Sequence, residues 1–174
     1  MNLASDDFTL FGLPQHHEMD CGALDARWRK LQAEVHPDRF ATEGAAAQRV
    51  AMQWAVRVNE GYRRLKDPVQ RGAYLCELRG VPVDAERNTA MPAAFLTQQM
   101  AWRERLEEAA DAAAVERIAE ELAASERREL DELRVLLDER GDTAAAAAKV
   151  RALMFLIRFR QDIERRLETL DTTR

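Results

Sequence analysis

Apolar residues in this chain recur at helical spacing and almost never alternate, which constrains the fold more than any other feature. Leu24, Trp28, Leu31 and Val35 fall at i, i+4, i+7 and i+11, one stripe of an α-helix. The segment "DCGALDARWRKLQAEVH" (20–36) is therefore read as a helix with Asp20 placed to cap it. Pro37 disfavours helical geometry at His36 and ends the run. A second helix is read from Ala45 to Lys66, turning Ala47, Val50 or Ala51, Trp54, Val58, Tyr62 and Leu65 inward. Gly61 inside it costs roughly 1 kcal/mol relative to alanine. "KDP" (66–68) breaks that helix, and Pro68 suits the first turn of a shorter one. Upstream, "DDFTLFGL" (6–13) reads as one helical turn that supplies Phe8, Leu10, Phe11 and Leu13 to a core.

A polar stretch with two prolines and a glycine (79–92) reads as a linker or an ordered connector. Three helical patterns follow it. The first carries Phe95, Leu96, Met100, Trp102 and Leu106. The second, from about 112 to 140, carries Val115, Ile118, Leu122, Leu130, Leu133 and Leu137 and stops at Gly141, a C-cap signal. Asp142 or Thr143 starts the third, with Val150, Leu153, Ile157, Ile163, Leu167 and Leu170. The last two would each be about 40 Å long, and their tight joint makes them antiparallel. The expected fold is all-α: an N-terminal helical unit over 1–78, a connector over 79–92, and a three-helix bundle over 93–174. "LMFLI", with Phe155 and then Phe159, and "FLTQQMAW" are apolar on more faces than one stripe needs. Either the helices bury two faces each, or an exposed apolar patch marks a binding site.

The net charge is −5. Residues 1–76 carry 10 basic and 10 acidic side chains, so the whole excess of acid lies in residues 77–174. That argues against general nucleic-acid binding, which needs a basic footprint. No apolar run reaches the roughly 18 residues of a membrane span, and the N-terminus lacks signal-peptide character. Cys21 and Cys76 form no CxxC pair; a reducing, cytoplasmic setting with two free thiols is expected.

Two short stretches invite chemistry. "HHEMDC" (16–21) offers two histidines, two carboxylates and a thiol, but no second cluster at zinc-ligand spacing accompanies it, and a solvated loop is expected. "EVHPDRF" (34–40) sets His36 beside Asp38. Catalysis would need an orienting carboxylate and a nucleophile within reach, and nothing in the sequence nominates the nucleophile. A plain Asp-initiated turn and a surface that another protein reads both remain.

Context favours recognition. His36, Pro37 and Asp38 lie between two amphipathic helices, the first with Arg27, Arg29 and Lys30 off its apolar stripe, the second carrying "VNEGYRRLKDP". This arrangement resembles a J-domain, the co-chaperone module that docks on DnaK-type ATPases. Over nearly all 174 residues the chain is similar to the HscB family, the J-proteins of bacterial iron–sulfur cluster assembly. "DDFTLFGLP", "LDARWRKLQAEVHPDRF", "VNEGYRRLKDPVQRGAYLCELRG", residues 93–108 and "VRALMFLIRFRQDIERRLETL" carry the likeness. Gly61 and Gly72 stand where the family usually has alanine, Cys76 and Met100 where it has leucine, and Ala101 and Trp102 replace a more acidic stretch.

The resemblance implies a protein that is not an enzyme and holds no cofactor or metal. It implies docking on the ATPase HscA through His36, Pro37, Asp38, Arg27, Arg29, Lys30 and Arg39. It also implies that Leu96, Met100 and Phe155, rimmed by Thr97, Arg103 and Glu104, hold the cluster scaffold IscU. No nucleic-acid or membrane partner is implied, and a monomer with at most weak self-association is expected. Two further classes stay open: a J-protein for unfolded clients in general, and a small helical enzyme using His36 and Asp38.

Overall fold

The computed structural model describes residues 4–40, 42–84 and 91–172. The described residues hold helices and turns and no strand. Residues 85–90 of the expected connector lie outside the described residues. The chain divides into two compact units, residues 1–75 and 76–174.

In the first unit α1 spans Asp7–Phe11, α2 Cys21–Val35, α3 Ala45–Lys66 and α4 Pro68–Leu78, which runs past the unit's limit. Aspartates cap α1, α2 and α4, as the sequence predicts for α2. The Asp20 carboxylate accepts the Ala23 amide, Asp6 accepts that of Thr9, and Asp67 accepts those of Val69 and Gln70. Phe8, Phe11, Leu24, Val35, Ala51, Val58 and Leu65 are buried. Leu10 and Leu13, expected inside, are half-buried at the margin. Of the alternatives Val50 and Ala51, Ala51 packs inward while Val50 is 51% exposed.

α2 and α3 are antiparallel, joined by a largely polar seam. Trp28 stacks on Tyr62 at 4.7 Å, and its indole N–H donates to Asn59. Gln32 donates to the same Asn59 oxygen. Asp25 accepts from Lys66 at 2.6 Å and from the Tyr62 hydroxyl at 3.0 Å. The Lys66 bond, then the Tyr62 bond, hold the Asp25 carboxyl below the usual carboxylate range. A lowered folded-state pKa stabilises above the unfolded value of about 4, and the effect is lost as pH falls through the folded value. Chemical denaturation should therefore find Asp25→Asn less stable than wild type at pH 7, with the gap closing below about pH 4.

Asp7 is fully buried, with Arg57 at 2.5 Å and Arg64 at 3.1 Å from its two carboxylate oxygens. Tyr74 accepts the Asp7 amide through its hydroxyl, stacks on Phe8 and lies under the Arg64 guanidinium. A charge removed from water persists only with partners this close. Gly61 makes room for the group: a Cβ there would sit 3.1 Å from both the Asp7 carboxylate and the Arg57 guanidinium. Gly61→Ala should thus cost about 1 kcal/mol despite alanine's better helix propensity. In an Asp7→Ala background the same change should become stabilising, as a double-mutant cycle in urea would measure.

"HHEMDC" is not simply a solvated loop. His17 is buried; its Nε2 donates to the Pro68 carbonyl, while the buried Arg71 donates to the His17 carbonyl and to that of Leu65. A ring withdrawn from water needs such an acceptor, and α4 brings it from 51 residues away.

In the second unit α5 spans Ala93–Glu108, α6 Ala112–Arg134 and α7 Thr143–Thr172. Lys149 pairs with Glu129 and Glu132, and Arg160 with Glu126, so rising numbers on α7 meet falling numbers on α6. The helices are antiparallel, as their short connection requires. The expected α-helix to residue 140 changes character: Val135–Arg140 is a π-helical turn closed by Gly141 at φ 66°. Arg134 pairs with Glu139 five residues on, the spacing that a π turn stacks. Of the residues expected inside α7, Val150, Leu153 and Ile163 are buried, whereas Ile157, Leu167 and Leu170 are half-buried. Leu156 and Phe159 take the core positions, Phe159 stacking on Trp102. Arg79 donates to the Leu137 carbonyl and Arg151 to that of Val83, which ties residues 79–83 to this unit.

Candidate functional site

The first unit presents the His-Pro-Asp turn at the end of α2. His36 is extended (φ −62°, ψ 127°), as a residue before proline must be, and Pro37–Phe40 forms one 3₁₀ turn. Asp38 is 90% exposed; its amide donates to His36 Nδ1, and its carboxylate lies 3.5 Å from that nitrogen. Arg39 fastens the turn to the helix behind it. Its guanidinium donates to the Ala33 carbonyl at 3.1 Å, and its amide to that of His36. This satisfies the carbonyl of Ala33 in α2's last turn and that of the C-cap residue His36.

The three cations of α2 are not equivalent. Lys30 is exposed and in no ion pair with a described residue, and Arg29 reaches back to the Asp25 carbonyl at 3.3 Å. Arg27 is exposed as expected, and it also donates to the carbonyls of Phe11 and Gly12 and ties α1 to α2. Gly12, at φ 60°, leaves space for it: a Cβ there would lie 2.6 Å from the guanidinium. The partner is 15 residues away, which is why helical periodicity alone did not reveal it.

In the second unit α5 has two faces. Gln99, Trp102 and Leu106 are buried and Phe95 half-buried, at spacings of four, three and four. Leu96 (47% exposed), Met100 (71%), Thr97, Arg103 and Glu104 lie on the opposite, exposed face. Phe155 of α7 is half-buried and meets the ring of Phe95 edge-on at 6.5 Å, with Arg158 over its own ring. This contact sets Phe155 against Phe95, on the inward stripe of α5. Of the two sequence alternatives, the exposed apolar patch describes Leu96 and Met100, while Phe95 falls on the inward stripe of α5 and Phe159 in the core of α7. Arg103 and Glu104 make no ion pair with a described residue, and the Thr97 hydroxyl bonds back to the Ala93 carbonyl. Arg105, by contrast, pairs with Glu121 through its two terminal guanidinium nitrogens.

Besides Val50, offered as an alternative to Ala51 on the inward stripe, sequence reasoning missed two exposed apolar side chains on α3, Met52 at 59% and Val56 at 57%. Their positions off the inward stripe were the available signal. No group of three or more His, Cys, Asp or Glu residues is arranged to hold a metal among the described residues. No helix among them is long and apolar enough to cross a membrane.

A displayed turn, a basic helix face and an apolar helical patch are the features to compare with known proteins. The profile of the HSCB C-terminal oligomerisation domain matches residues 91–164. A co-chaperone protein HscB homolog of Bordetella petrii is 52% identical over 161 residues, 92% of this chain and 95% of its own. The chain belongs to the HscB co-chaperone family. The HscB homolog of Burkholderia multivorans is 49% identical over 175 residues, 99% of each chain. Among solved structures, chaperone HscB from Vibrio cholerae superposes with a TM-score of 0.83 at 34% identity, covering 95% of this chain and 99% of that one. Human co-chaperone HscB gives 0.89 at 25% identity, over 94% of this chain and 83% of that one. A J-domain followed by a helical bundle is the architecture these HscB proteins share with the chain.

Arg27 and Lys30 can be separated within this family fold. Arg27→Gln should lower stability by about 1 kcal/mol and also weaken the salt dependence of docking on an acidic partner. Lys30→Gln should weaken that salt dependence and leave stability unchanged, as titrations at several ionic strengths would record.

Proposed function

We propose that this chain is a J-type co-chaperone of iron–sulfur cluster assembly. It raises ATP hydrolysis by the DnaK-type ATPase HscA and delivers the scaffold IscU to it. In this reading residues 1–78 are the J-domain, 79–92 the connector and 93–174 the scaffold-binding domain. The chain acts in the cytoplasm as a monomer and catalyses nothing itself.

Asp38 carries the reading. Its carboxylate is almost fully exposed, yet the turn beneath it is held by Pro37 and by both bonds of Arg39. Little conformational entropy remains to be lost on docking, which favours a charge-assisted pair with an arginine of the ATPase. Arg29 and Lys30 steer approach to an acidic surface, and Arg27 adds its charge while clamping α1. Binding promotes hydrolysis only if the turn contacts the hydrolysis-competent state better than the other.

Leu96, Met100 and Phe155 would form the apolar centre of the scaffold contact, with Thr97, Arg103 and Glu104 around it. Such a centre within a polar rim is what a stable protein contact requires. Joining both partners on one chain raises the effective concentration of each for the other.

Asp38→Asn should abolish stimulation of HscA turnover while leaving the unfolding curve unchanged, since the carboxylate makes only exposed contacts. A wild-type chain that leaves turnover unchanged would refute the J-type reading. Leu96→Ala with Phe155→Ala should weaken IscU binding at least tenfold, about 1.4 kcal/mol, by calorimetry. Stimulation without IscU should persist in that variant.

A further inference from the structure

Where α2 ends and α3 begins, the first unit opens a cleft of about 490 Å³. Its lining is apolar: the buried Val35 and Ala51, the half-buried Phe40 and Trp54, and Val50, which is 51% exposed. Glu34 and Glu43 are the charged residues on its rim; both are exposed, and neither is in an ion pair with a described residue. The cleft is continuous with the docking turn. Val35 immediately precedes His36, and the 3₁₀ turn that displays Asp38 ends in Phe40.

An open apolar cleft with an exposed valine at its lip is surface that an isolated domain gains nothing by keeping. Its two exposed carboxylates specify the charge of what covers it. We infer that the cleft receives a second segment of the ATPase that docks on the His36–Asp38 turn: a short stretch of apolar side chains followed by a lysine or arginine. The inference rests on the J-type reading and adds to it a contact of opposite polarity. The turn and α2 present cations to an acidic surface, whereas the cleft presents acids to a basic one. Apolar burial in the cleft adds affinity, and Glu34 and Glu43 set the register through charge-assisted bonds. Both contacts involve one partner, so each raises the effective concentration of the other.

The opposite polarity makes the test decisive. On long-range attraction to an acidic partner alone, neutralising two glutamates beside the docking turn tightens binding. With a basic segment in the cleft, it weakens binding. The full-length chain with Glu34→Gln and Glu43→Gln is titrated into the ATPase at low salt, and the half-maximal concentration for stimulation is read. The expected result is a rise of at least fivefold, with a similar rise for Val50→Gln, a neutral change at an exposed helical position. An unchanged or lower half-maximal concentration in either variant, with wild type stimulating normally, overturns the inference and leaves the J-type reading standing. Absence of stimulation by wild type overturns both. Sedimentation of the chain alone covers the other occupant: a dimer that Val50→Gln dissociates would assign the cleft to a second copy and overturn the inference.

Discussion

The polar seam between α2 and α3 is the contact on which the first unit depends. Two antiparallel helices with apolar stripes can slide by a turn at modest cost, because apolar contact is non-directional. Here the stack of Trp28 on Tyr62, the shared Asn59 acceptor and the bonds of Asp25 to Lys66 and Tyr62 prevent that. Hydrogen bonds and stacked rings have narrow geometric optima, so together they select one register. With the register set, the His-Pro-Asp turn has one position at the end of the pair, and the neighbouring cleft has one shape.

The seam leaves the opposite side of α2 to be braced by α1. Arg27 reaches the carbonyls of Phe11 and Gly12, and the buried Asp7 draws Arg57 and Arg64 of α3 inward. These are ionic or charge-assisted contacts made by residues that composition alone would assign to the surface. Of the cations on α2, Arg27 braces α1, while Lys30 is exposed and in no ion pair with a described residue. The charged residues of the first unit thus divide between those that brace it and those that stand exposed.

In the second unit α5 is divided along its length. Trp102 and Leu106 anchor it, Trp102 against Phe159, and Glu121 of α6 accepts from both Trp102 and Arg105. Leu96 and Met100 remain on the other side without apolar cover. A helix held this firmly by one face can expose the other without shifting to bury it, which suits a preformed binding surface.

Much of this was legible in the chain itself. The limits of α2 and α3, the caps at Asp20 and Gly141 and the break at Pro68 follow from local torsional preference and from the needs of helix ends. The position of the His-Pro-Asp turn follows likewise. The exposed character of Leu96 and Met100 was half legible: apolar residues exceeded the stripe, but which of them lay outside did not follow. The partners of Arg27 and Asp7, the burial of His17, the choice of Phe159 over Ile157 for the core and the cleft beside Phe40 were decided by tertiary structure. Each depends on groups brought together from separate elements. Periodicity and capping report the torsional preferences of neighbouring residues; the partner of a buried charge and the shape of a cleft are set by packing, which sequence neighbours do not specify.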